Sequence, residues 1–120
     1  MASHEKLRLW QSSQNLALDI YRLSSTFPRH ELWGLTSQMR RSAVSIPANI
    51  AEGYNRGTAK ELRQFLLIAR GSLAELESYL KLLAPLGYAQ QAELSTLWAQ
   101  CLGLEKGINA FLAAIGRRSP

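Results

Sequence analysis

The sequence predicts an all-α protein, an antiparallel up-and-down four-helix bundle with a proline-kinked second helix, in which residues 1–120 form a single domain. Three observations carry that prediction. Apolar residues recur at steps of three and four almost throughout, the period of a helix with one buried face. No alternating β-branched run and no Asn-Gly turn marks a strand or a hairpin. The periodic runs are interrupted briefly by Pro28, by Gly57 with Thr58, and by Pro85 with Gly87, as the tight connections of a bundle require. With 120 residues and 47% apolar content, the chain can bury one core and is too apolar for a disordered class.

The first helix is expected over about residues 7–27. Leu9, Leu16, Ile20, Leu23 and Phe27 share one side, joined by Trp10, Ala17 and Tyr21, while Arg8, Asn15, Asp19 and Arg22 lie opposite. Pro28 ends it, because the residue before a proline avoids the helical region. The second helix is expected over about 32–54, with Leu35, Met39, Ala43, Ile46 and Ile50 as its stripe. Pro47 stands inside that stripe. A mid-helix proline removes one amide donor and crowds the carbonyl four residues back, at a cost of about 3 kcal/mol. Ser42, Ser45 and Asn49 flank it and can serve freed backbone groups, so a bend within one helix is expected; a loop at Pro47 is the other reading.

The third helix is expected over about 59–85. Thr58 and Glu61 have capping-box spacing, and Leu62, Phe65, Ala69, Leu73, Leu76, Leu80 and Leu83 follow at steps of three and four. Pro85 and Gly87 close it. The fourth is expected over about 90–115, with Leu94, Leu97, Cys101, Leu104, Ile108, Phe111 and Ile115 in a strict heptad seam. The tail from Gly116 to Pro120 is expected to fray.

The fourth helix carries more apolar surface than one seam needs. Trp98, Leu102 and Leu112 sit well around from the Leu94 stripe, and Ala99, Gly103, Gly107, Ala110 and Ala114 form a small-residue side. One reading is a wide core face with a few exposed leucines. The other places Trp98, Leu102 and Leu112 in an interface between copies of the chain.

The net charge is +5, from 14 basic and 9 acidic residues, which suits a polyanionic partner. The candidate nucleic-acid-binding residues are Arg40 and Arg41, which open the proline-containing run; Arg56 and Lys60, at the start of the third helix; and Arg63 and Arg70, on one side of it with Lys81. Basic groups at a helix N-terminus add to the positive end of its dipole, a placement that an anion would relieve. Glu61 and Glu77 interrupt the basic stripe, so a solvated face is the rival reading. For Arg40 the rivals are a snorkelling side chain and an ion pair between subunits. A protein partner, with the charge serving solubility alone, is the alternative to RNA or DNA.

Catalytic chemistry finds little purchase. Cys101 is the lone cysteine, which excludes an intrachain disulfide and a cysteine-rich metal site and reads as a small core residue. His4 and His30 both fall near helix ends and fit no bundle metal motif. No metal, cofactor or enzymatic activity is expected. No aromatic interleaving among the basic residues suggests stacking of single strands. No secretory signal or membrane-spanning run is visible, so a cytoplasmic location without membrane contact is expected.

The run LWGLTSQMRRSAVSIPANIAEGYNRGTAKELRQFLLIARGSLAELESYLKLLAPLGY, with LRLWQSSQNLALDIYRLSSTFP before it, resembles the 23S rRNA intervening-sequence protein family, also called the S23 or four-helix-bundle family. SIPANIAEG followed at helical distance by GSLAELE is the specific part, and the likeness covers about residues 7–88. It implies a four-helix bundle that assembles as a ring-like homopentamer, without catalytic residues. Relatives in diversity-generating retroelements act as accessory proteins that bind a reverse transcriptase and nucleic acid through basic surfaces; nothing in this chain signals such a context.

Overall fold

The computed structural model describes residues 3–118. Four α-helices follow a short 3-10 turn at Ser3–Lys6: α1 (Arg8–Ser24), α2 (Ser37–Asn55), α3 (Ala59–Leu86) and α4 (Gln91–Arg118). Each helix packs on its two neighbours in a closed square, with α2 and α3 the most extensive pair. The body measures 49 × 23 × 22 Å, which fits 28-residue helices of about 42 Å at 1.5 Å per residue. No helix among the described residues is long and apolar enough to cross a membrane.

α1 ends at Ser24, three residues before the expected boundary. The hydroxyls of Ser24, Ser25 and Thr26 donate to the carbonyls of Tyr21, Arg22 and Leu23, so side chains take the groups that a further turn of helix would have used. Pro28 then leads through a 3-10 turn at Arg29–Glu31 into a wide, distorted turn at Leu32–Thr36. Gly34 leaves helical geometry there (φ −112°, ψ −111°), and regular helix resumes only at Ser37.

α2 passes through Pro47 as one element, so the loop reading does not hold. The flanking polar groups act differently from the expectation. Ser42 donates to the Met39 carbonyl, and Asn49 to the carbonyl and hydroxyl of Ser45; neither serves Ala43, whose carbonyl Pro47 deprives of an amide. Ser45 instead bonds Ser72 across to α3 at 2.8 Å. Part of the polar side of α2 is thus an interhelical seam.

Gly57, at φ 93°, turns the chain into α3. Thr58 Oγ accepts from the Glu61 amide at 3.1 Å, as its cap. The Glu61 carboxylate then accepts from the Thr58 hydroxyl at 3.0 Å instead of reaching back to the Thr58 amide. At the far end Gly87, at φ 74°, lets Tyr88 N–H bond the Leu83 carbonyl and its own N–H bond Ala84, a Schellman closure.

The core is a single cluster that includes Leu16, Ile20, Met39, Ile46, Ile50, Leu66, Leu73, Leu76, Leu80, Leu83, Cys101 and Ile108. Along α4 the buried series runs Leu94, Leu97, Cys101, Leu104, Ile108, Leu112, Ile115. Leu112, expected on an outer flank, is therefore a core residue (8% exposed), and Phe111 is only partly covered. The reason is geometric: an α-helix has 3.6 residues per turn and drifts about 20° per heptad, so a strict heptad series loses register after several turns. α4 remains helical to Arg118, beyond the expected fraying point; Ser119 and Pro120 lie outside the described residues.

α2 and α3 approach closely at Gly53. A Cβ on buried Gly53 would stand 2.6 Å from the Phe65 Cβ and 3.4 Å from the Leu62 Cα. Gly53→Ala is expected to destabilise the protein by about 1–3 kcal/mol through forced separation of the two helices. Gly71→Ala on the open face of α3, where nothing lies within 4 Å, is expected to stabilise it by about 0.5–1 kcal/mol. Urea denaturation of both variants checks the pair.

Candidate nucleic-acid interface

The six candidate basic residues do not form one patch. α2 runs antiparallel to both neighbours, so Arg40 and Arg41 lie near one end of the bundle, and Arg56, Lys60 and Arg63 near the other. The 15 residues from Arg41 to Arg56 span about 22 Å of helix axis.

Two of the six are engaged inside the chain. Arg40 Nε donates to Ser24 Oγ at 2.8 Å, its Nη2 reaches the Tyr21 carbonyl at 3.4 Å, and its guanidinium lies 4.7 Å from the centre of the Tyr21 ring. It braces α2 against α1, as the snorkelling reading allowed. Arg56 pairs with Glu52 at 2.8 Å and with Glu61 at 3.5 Å, and its guanidinium sits 5.3 Å from the Phe65 ring centre. Its charge is balanced locally, and it staples the turn between α2 and α3.

The other four are exposed. Arg70 donates to Asn109 Oδ1 on α4 at 2.9 Å and has no carboxylate partner among the described residues. Arg41, Lys60 and Arg63 have no carboxylate within ion-pair distance among the described residues. Lys60 and Arg63 stand in the first turns of α3, where the aligned peptide dipoles already leave positive potential. Further along, Lys81 covers the Trp98 ring at 6.0 Å. Between Arg70 and Lys81 the stripe is broken by Glu77, whose carboxyl is held above its ordinary range by burial and then by Glu105, against the opposing pull of Lys81.

The oligomer candidates separate as well. Leu112 belongs to the chain's own core, Trp98 is half-buried beneath Lys81, and Leu102 stays 52% exposed. Exposed apolar side chains also occur away from α4. Leu18 and Tyr21 on α1, Val44 on α2, and Leu32 and Trp33 in the turn before α2 are all exposed, as are Ile68, Leu82 and Leu86 on α3. Trp33 is the extreme, at 88%. Sequence reasoning passed over it; the available signal was a tryptophan beside Gly34, outside every helical stripe.

Reactive groups are quiet. Burial, then Glu77, pushes the Cys101 thiol up to about 12, so it stays protonated and a poor nucleophile. His4 bonds Asn55 at 2.8 Å and meets Trp10 edge-on, and His30 lies by Glu31 and Tyr88. No cluster of His, Cys, Asp and Glu among the described residues could hold a metal ion. A groove of about 560 Å³ between α1 and α4, floored by Leu9 and Leu104, has Arg8, Asp19 and Gln100 on its rim. Gln100 donates to Asp19 at 3.0 Å across it, and its mixed rim favours neither sign of ligand.

Comparison with known proteins agrees with the architecture. The model of the family described as 23S rRNA-intervening sequence protein matches residues 5–110. A crystal structure of a protein of unknown function from the S23 ribosomal protein family of Bacteroides thetaiotaomicron superposes with a TM-score of 0.80 at 22% identity, covering 87% of this chain and 97% of that one. At that identity the likeness is one of fold. No curated protein matches the chain.

Arg40→Ala is expected to cost about 1–2 kcal/mol of stability, through loss of a charged hydrogen bond and a cation–π contact. Arg63→Ala should stay within about 0.5 kcal/mol of the parent, as exposed substitutions do. Thermal unfolding of the two variants side by side separates the brace from the free cation.

Proposed function

The chain belongs to the 23S rRNA-intervening sequence protein family, and from that premise we propose that it is a non-enzymatic, oligomeric binding protein of the cytoplasm that associates with nucleic acid through its basic surface. The observation that carries the reading is the state of Lys60 and Arg63. Both are exposed, neither has a carboxylate partner among the described residues, and both add to the positive end of α3. Arg70 and Arg41 extend the surface; Arg56 is neutralised by Glu52 and Glu61, and Arg40 braces α1 against α2 while keeping a charge with no carboxylate partner among the described residues. Contact is with phosphate, so it depends on charge and discriminates little between sequences. The inert thiol of Cys101 and the engaged imidazoles of His4 and His30 support a binding role over a catalytic one.

Copies of the chain assemble, and a ring of five is the assembly that the family resemblance implies. Leu102 on α4 and Ile68, Leu82 and Leu86 on α3, all exposed in a single chain, support this, since association would shelter them. Assembly multiplies the basic surface, so several weak phosphate contacts act together.

The affinity for a 20-nucleotide RNA is expected to fall steeply with salt, with a log–log slope of about −3 for four phosphate contacts per chain. Arg63→Glu with Arg70→Glu should weaken binding at least about tenfold and flatten that slope by about 1 to 2. Unchanged affinity in the double variant refutes the basic-surface reading and leaves a protein scaffold as its replacement. Native mass spectrometry at micromolar concentration should show a species five times the chain mass; a pure monomer refutes the assembly.

A further inference from the structure

We propose that Trp33 and the depression beside it form a docking point for an unpaired base of a single-stranded nucleic acid; this rests on the nucleic-acid reading above and names its substrate class.

The indole is 88% exposed, whereas Trp10 and Trp98 are both packed against the core. An aromatic ring left in water forgoes a large burial gain. It is also held out by a defined turn. The Glu31 side chain accepts from the Leu35 amide at 3.4 Å and from the Tyr88 hydroxyl at 2.8 Å, closing the segment that carries Trp33 from both sides.

Beside the indole lies a depression of about 420 Å³, walled by Tyr21, Leu32 and Val44 and rimmed by Ser37, Arg40 and Arg41. Its chemistry is aromatic and cationic at once. Arg40 is held 4.7 Å from the Tyr21 ring centre and pinned to Ser24, so its position is preset and it has donors to spare. Arg41 is exposed and unpaired among the described residues. No carboxylate lines the depression, and the nearest one in sequence, Glu31, is occupied by Tyr88 and Leu35. The site therefore suits a ligand with a flat π-face and a negative charge next to it. A base with its phosphate has both, whereas an apolar peptide would leave two guanidinium groups without counter-charge. Stacking on one exposed ring needs a base free of its own stack, which a single strand offers and a duplex does not.

The test is fluorescence anisotropy of a labelled 20-nucleotide oligouridine and of a duplex RNA of equal length, with native mass spectrometry of every variant. Trp33→Ala, at an exposed position, is expected to weaken single-strand binding about tenfold or more and duplex binding less than twofold, while Trp33→Phe retains most of the affinity. If Trp33→Ala binds the single strand as the parent does, or loses both RNAs equally, the stacking site is overturned while the basic-surface reading survives. If the parent binds neither RNA at any salt concentration, both fall. If Trp33→Ala instead lowers the assembly mass, the indole is a contact between copies and the proposal is overturned.

Discussion

The fold rests on the approach of α2 to α3. Gly53 lets Phe65 and Leu62 lie against the α2 backbone, and with that closeness the apolar series of both helices mesh from Met39 to Leu83. Everything at the basic end follows. The turn at Gly57 has to be short, Thr58 must cap α3 at once, and Arg56 is drawn between Glu52 and Glu61. Beyond that cap, Lys60 and Arg63 stand in the first turns of α3 with no carboxylate within ion-pair distance among the described residues.

Each neighbouring pair of helices also shares a polar tie at its rim. Arg40 meets Ser24 between α1 and α2, Ser45 meets Ser72 between α2 and α3, Arg70 meets Asn109 between α3 and α4, and Gln100 meets Asp19 between α4 and α1. Among the described residues no buried side-chain nitrogen or oxygen lacks a partner. Polar groups near the core are therefore satisfied in pairs, and the apolar interior supplies the bulk of the driving force.

Much of this architecture was legible in the residues. The start of α3 at Thr58 and its closure at Gly87 follow from local rules that packing did not override. Other features needed the tertiary structure. The pull of Ser24, Ser25 and Thr26 on the last carbonyls of α1 competes with another turn of helix, and residue spacing does not say which wins. The exchange of Phe111 for Leu112 in the core comes from the drift of a straight helix against a seven-residue template. Arg40 and Arg41 are adjacent in sequence, yet one is a brace and the other a free cation, because a step of 100° along a helix separates an interface from solvent. Trp33 was overlooked because it belongs to no stripe, and pattern reading weighs only residues that repeat.

The hydroxyl and amide contacts among Ser45, Asn49 and Ser72 have a consequence for alignment. Leucines tolerate sliding, since one aliphatic chain replaces another a turn away with little loss. These three groups do not: displacement of α2 by a turn would carry Ser45 and Asn49 onto aliphatic neighbours and strand them. They act as an index mark, selecting one registration of two greasy surfaces out of several that would otherwise be nearly equivalent.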